Sequence, residues 1–186
     1  DAGRQRNVFR KMLRFTAFIS FPAMFGLALI AHELIVISVT DKWLDSVPIL
    51  QLLCIWGAFL PILSLYSNLI ISKGKSDIYM WNTIALGILQ VIVMLLAYPY
   101  GIHTMIVAFV TVNIVWMLVW HYFVWQQIRL SLWNALKDVI PFATLAGITM
   151  IVTYYATRSI GNIYLLFTAK VVVAAILYTL LILRVA

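Results

Sequence analysis

The stretch IYMWNTIALGILQVIVMLLAYPYGIHTMIVAFVTVNIVWMLVWHYFVWQQI, Ile78 to Ile128, runs for 51 residues without one formal charge. A helix crosses a hydrocarbon core of about 30 Å with roughly 20 residues, so this run is too long for one crossing and sufficient for two. The turn signal Tyr98-Pro99-Tyr100-Gly101 falls inside the run and divides it. Apolar residues follow one another continuously instead of alternating with polar ones, which selects helices over a barrel. The stretch therefore predicts two membrane-spanning helices joined by a short turn.

Outward from this run, formal charges carve the chain in the same way. Thr16 to Thr40 carries only Glu33, Val47 to Ser72 has no charge across 26 residues, Val139 to Thr157 has none across 19, and Ser159 to Leu183 carries only Lys170. The total is six spans. Composition agrees: 65% of the 186 residues are hydrophobic and 10% charged. A soluble domain averages about 45–50% and about 25%, and one of this size has too little interior to hide so much apolar surface. The predicted fold class is an all-α integral membrane bundle of six transmembrane helices. A secreted disulfide scaffold, a cytosolic enzyme and a nucleic-acid-binding domain are excluded together, and the single Cys54 has no partner within the chain.

Charge also sets the expected orientation. The loops on one side hold Arg4, Arg6, Arg10, Lys11, Arg14, Lys73, Lys75, Arg129, Lys137 and Arg184; those on the other hold only Lys42 and Arg158. By the positive-inside rule the ten-residue side is cytoplasmic, so both termini face the cytoplasm. The net charge of +7 is then a topology signal and an attraction to anionic headgroups. Residues 1–15 read as a cytoplasmic basic loop, 16–128 as the first four helices, 129–138 as an interfacial connection and 139–186 as the last two helices. Ser46 is positioned to cap the second helix, with Pro48 in its first turn, and Pro61 is expected to kink it. Trp116, Trp120, His121, Tyr122 and Trp125 read as an aromatic belt at the cytoplasmic surface. Asp1-Ala2-Gly3 resembles neither an initiator nor a signal peptide, so the chain reads as the back part of a longer membrane protein.

No motif for covalent chemistry is present. There is no Walker loop. His32, His103 and His121 lie on separate segments without metal-ligand spacing, and nothing calls for a cofactor. Chemistry is instead expected from ionisable groups inside the spans, where a charge costs on the order of 2.5–3.5 kcal/mol. Glu33 lies about seven residues before the outer end of the first helix, and Lys170 about seven after the outer start of the sixth. At about 1.5 Å per residue both sit roughly 10 Å below the outer surface. They are expected to pair or to line a water-filled cavity together, while Lys170 alone could instead snorkel outward. Asn68, Gln90 and Asn113 are either interhelical glue or a polar track for a sugar or diphosphate. Arg10, Lys11, Arg14, Lys73 and Lys75 form a cytoplasmic patch that could gather an anionic lipid diphosphate.

Several short signals carry a family resemblance. Phe21-Pro22-Ala23-Met24-Phe25-Gly26-Leu27, Lys42-Trp43, Pro48-Ile49-Leu50-Gln51-Leu52-Leu53, Ser72-Lys73-Gly74-Lys75-Ser76 and Tyr98-Pro99-Tyr100-Gly101-Ile102 resemble the carboxy-terminal half of bacterial polysaccharide flippases. These are the lipopolysaccharide and O-antigen exporters of the multidrug/oligosaccharidyl-lipid/polysaccharide superfamily. The likeness runs from about Arg4 to Ile128, and the last two helices match in hydropathy only. It implies a two-lobed transporter of twelve to fourteen helices in the bacterial inner membrane, of which this chain is most of one lobe and the amino-terminal lobe is missing. The implied cargo is an undecaprenyl-diphosphate-linked oligosaccharide, moved by alternating access among membrane lipids. By helix order alone, Thr144, Gly147, Thr149, Thr153 and Lys170 would border a groove for the lipid tail. Lys170, and Arg158 at the outer mouth, would be cations for the diphosphate.

Other readings compete. A drug/cation antiporter of the same superfamily needs intramembrane carboxylates, and Glu33 alone is available. A non-transporting membrane scaffold subunit would pair its polar groups fully and leave no cavity. An embedded enzyme would need a larger polar loop than the 13 residues from Gln126 to Asp138.

Overall fold

The computed structural model describes residues 2–185; Asp1, Ala186 and the side chains of Ala2, Arg184 and Val185 lie outside it. Seven α-helices account for nearly all of it: α1 (Ala2–Leu29), α2 (Ala31–Val39), α3 (Val47–Ser72), α4 (Ser76–Ala97), α5 (Ile102–Ile128), α6 (Leu132–Thr157) and α7 (Ile163–Val185). Short 3₁₀ turns, Asp41–Ser46 and Tyr98–Tyr100, precede α3 and α5. Among the described residues six stretches are long and apolar enough to cross a membrane, matching the expected number, but the first runs Gly3–Leu29 where Thr16–Thr40 was expected. The chain is an all-α, multi-pass membrane bundle.

The Ile78–Ile128 run divides at Tyr98-Pro99-Tyr100-Gly101. Gly101 has φ +88° as it opens α5, a conformation that a side chain would strain. Gly74, between α3 and α4, likewise has φ +72°. At the start of α3, Pro48 occupies the first turn, but the Ser46 hydroxyl makes no capping bond; the Val47 N–H donates to the Leu44 carbonyl instead. The 3₁₀ turn before the helix has already used the geometry that a side-chain cap needs.

Two expected connections are helical. Residues 2–15 are the first turns of α1, not a loop. Phe9, Leu13, Ala17 and Phe21 recur every four residues and are all buried, so one packing stripe continues through the basic segment. Residues 132–138 are the first turns of α6, leaving Arg129–Ser131 as the only non-helical part of the 129–138 connection. Ala135, Asp138, Ala146, Thr149, Thr153 and Thr157 form one buried face of that helix. The face carries through Pro141, which neighbouring helices tolerate in a membrane bundle.

α1 is the centre of the bundle. It packs on α3 along one side and α6 along the other; α3 continues to α5 and α5 to α4, while α6 continues to α7. Close approach of α1 and α3 depends on small residues. A Cβ at Gly57 would lie 3.0 Å from Met24 Sδ, and Ser20 Oγ donates to the Ala58 carbonyl at 2.6 Å. Such contacts let membrane helices associate by packing where the hydrophobic effect gives no preference. The aromatic belt is divided between two roles. Trp120 and His121 are buried in the bundle, whereas Tyr122 and Trp125 are exposed. Trp116 donates its indole N–H to Asn82 Oδ1 at 2.8 Å.

Candidate substrate pathway

The expected first span is broken at Ile30, which separates α1 from α2. This puts Glu33 in the first turn of α2, where the positive end of the helix dipole favours a carboxylate. α2 and α1 both touch α7, and Lys170 reaches them from that helix. Its ammonium donates to Glu33 Oε1 at 2.7 Å and to the Leu29 carbonyl, beside the break, at 3.2 Å. It also lies 5.8 Å from the Tyr154 ring centroid.

Glu33 is 3% exposed and Lys170 5% exposed, so Lys170 does not snorkel outward; an internal carboxylate and carbonyl satisfy it. Glu33 Oε2 is buried without a hydrogen-bond partner, while exposed His32 holds Nδ1 3.8 Å from Oε1. Removing one member of such a pair strands the other, at about 3–5 kcal/mol.

Lys170 also walls a groove of about 370 Å³ between α1 and α7. Its other walls are largely apolar and include the small residues Ala23, Gly26, Ala174 and Ala175, with Tyr178 also lining it. A second apolar cavity of about 540 Å³ lies between α1, α3 and α6 and shares Leu29 and Met150 with the first. The four α6 residues expected at the tail groove do not line either one. Thr149 and Thr153 are fully buried and return their hydroxyls to the carbonyls four residues earlier. Thr144 is exposed and does the same toward Ile140, and Gly147 faces the Phe25 ring. α6 turns these hydroxyls toward its own backbone, and α1 and α7 supply the groove's small residues instead.

At the other end of α1, Arg10 and Arg14 converge on Asp138 of α6. Arg10 Nε donates to Oδ2 at 2.6 Å and a terminal nitrogen to Oδ1 at 3.0 Å; Arg14 Nε donates to Oδ1 at 2.6 Å. Asp138 is buried. Both arginines were expected to attract headgroups, but one carboxylate already neutralises half their charge. Sequence reading passed over Asp138, although two arginines four residues apart on a helix present one shared face.

The remaining candidates separate. Gln90 Nε2 donates to Asn113 Oδ1 at 3.0 Å, and Asn113 donates to the Phe109 carbonyl at 2.8 Å. With the Trp116–Asn82 bond they join α4 to α5, away from the Lys170 groove. Asn68 is exposed on α3, and Arg158 is exposed at the end of α6. Lys73 donates to Gln5 Oε1, and Lys75 is exposed at the start of α4. Among the described residues no three His, Cys, Asp or Glu side chains gather as a metal site.

Residues 1–48 match a family model described as polysaccharide biosynthesis protein. An uncharacterized membrane protein in the cps region of Klebsiella pneumoniae is 38% identical over 78 residues. The lipopolysaccharide biosynthesis protein WzxC of Escherichia coli is 31% identical over 78 residues, and the teichuronic acid biosynthesis protein TuaB of Bacillus subtilis 30% over 79. Each match covers 42% of this chain and 16% of the relative, so the aligned part is a small share of those proteins. No solved structure is a significant match. Over the matched part, which includes Phe21-Pro22-Ala23-Met24-Phe25-Gly26-Leu27 in the family model, the chain is thus similar to bacterial polysaccharide-biosynthesis membrane proteins.

Proposed function

We propose that the chain is part of a flippase carrying a lipid-linked oligosaccharide or polysaccharide precursor across the bacterial inner membrane, with the charge-rich ends of α1 and α6 in the cytoplasm. The observation that carries this reading is buried Lys170, paired with Glu33, in the wall of an apolar groove. The cargo joins a diphosphate and sugar, which hydrocarbon rejects, to a polyprenyl chain, which it accepts. A groove with one internal cation suits that amphiphile. Lys170 is held by Glu33 when no cargo is bound and becomes a counter-ion for the diphosphate when the pair opens. The relatives named for lipopolysaccharide and teichuronic acid biosynthesis support the same substrate class. The missing lobe of the longer protein would complete the cavity, and alternating access of the two lobes would move the headgroup. Binding and movement suffice for this role; no residue is asked to make or break a covalent bond.

A drug/cation antiporter is the weaker reading, because Asp138 is occupied by two arginines and Glu33 by Lys170. The test is the neutral pair Glu33→Gln with Lys170→Gln in the full-length protein, which retains polar partners but removes the cation. Normal membrane levels with loss of surface polysaccharide are expected. Normal polysaccharide at normal protein level would overturn the proposal.

A further inference from the structure

A separate groove of about 540 Å³ lies between the first turns of α1 and the last of α3. It is lined by Arg4, Gln5, Val8, Phe9 and Met12 of α1, facing Leu69, Ser72 and Lys73. The α1 residues form one stripe at helical spacing, and the stripe is graded. Arg4 and Gln5 stand at its outer end with Ser72 and Lys73 opposite, while Val8, Phe9, Met12 and Leu69 continue inward, Met12 lying about 12 Å from Arg4 along the helix at about 1.5 Å per residue.

Charge and exposure point to the occupant. Arg10 and Arg14 are engaged by Asp138, but among the described residues neither Arg4 nor Lys73 has a carboxylate in ion-pair range. Lys73 meets only the neutral amide of Gln5. Among the described residues two positive charges therefore stand uncompensated at the groove's mouth. Below them Val8 is 47% and Met12 52% exposed, and apolar surface at this level gains from contact with an acyl chain. A free phosphate would satisfy the cations and leave that surface bare. A zwitterionic lipid would cover the surface and bring no net charge. We infer that this groove holds an anionic membrane phospholipid, its phosphate between Arg4 and Lys73 and one acyl chain along Val8, Phe9 and Met12. The site lies at the opposite end of α1 from the Lys170 groove and stands whether or not the chain is part of a flippase.

The test uses full-length protein extracted with native lipid and measured by native mass spectrometry after graded delipidation, with phosphatidylglycerol and phosphatidylcholine in competition. Phosphatidylglycerol should be the last lipid retained. Arg4→Gln and Lys73→Gln should each weaken retention about fivefold, since a basic residue near an anionic surface contributes on the order of 1 kcal/mol. The double variant should lose about 25-fold on the same basis, and Lys73→Arg should retain binding. Lys42→Gln, on the other side of the bundle, should leave retention unchanged. Met12→Gln should weaken phosphatidylglycerol without affecting inorganic phosphate, which separates lipid from free anion. Equal retention of both lipids, an unaltered double variant, or retention of a polyprenyl diphosphate in place of phospholipid would each overturn the assignment.

Discussion

Replacing Lys170 by Gln should destabilise the bundle severely, and replacing Glu33 by Gln as well should restore most of the loss. In the native state Glu33 Oε1 has the ammonium at 2.7 Å, and Oε2 has no partner. Without the ammonium a buried carboxylate loses its counter-charge, at about 3–5 kcal/mol. Glu33→Gln removes that penalty. What stays lost is the ammonium's bond to the Leu29 carbonyl and imperfect pairing of two amides, about 1–2 kcal/mol. The double variant should therefore be more stable than Lys170→Gln by roughly 2 kcal/mol or more. Reversible unfolding of the full-length protein in mixed micelles, followed by tryptophan fluorescence, measures the cycle. If Lys170→Gln costs less than about 1 kcal/mol, or if the double variant is no better than the worse single one, the pair is not an uncompensated-charge switch.

Asp138→Asn should weaken the α1–α6 contact by about 1–2 kcal/mol, less than the Lys170 variant because both arginines can relax toward solvent; the same unfolding measurement checks this. Gly57→Val puts a branched side chain where a Cβ alone would meet Met24 Sδ at 3.0 Å, and should cost about 1–3 kcal/mol, with Met24→Ala recovering part of it. Single cysteines at Asp45 and Tyr100 should react with an impermeant maleimide applied to intact cells, whereas one at Gly74 should not. Labelling at Gly74 alone would invert the proposed topology.

The spans were legible because membrane insertion constrains average polarity over about 20 residues, which local detail does not disturb. The Glu33–Lys170 contact was foreseeable for the same reason: depth follows from counting residues to the span ends, and two costly charges at one depth favour each other. The basic turns of α1 were not legible. Their charges mask the Phe9–Leu13–Ala17–Phe21 stripe, whose partners lie on α3 and α6, far away in sequence. Asp138 was hidden similarly, since the polar residues from Arg129 to Asp138 read as an interfacial connection and not as the start of α6. Thr149 and Thr153 looked available for a groove because composition does not reveal that their hydroxyls return to their own helix. The direction of Lys170 depended on its partner: with Glu33 in reach it turns inward, and the outward alternative is not taken.

The most direct measurement is photocrosslinking of the full-length protein in cells making lipid-linked saccharide, with a photoreactive residue at Ala175 in the α1–α7 groove or at exposed Ile88 on α4. Capture of the polyprenyl-linked saccharide at Ala175, with bulk phospholipid alone at Ile88, is the predicted result. Bulk phospholipid alone at both positions would contradict the account.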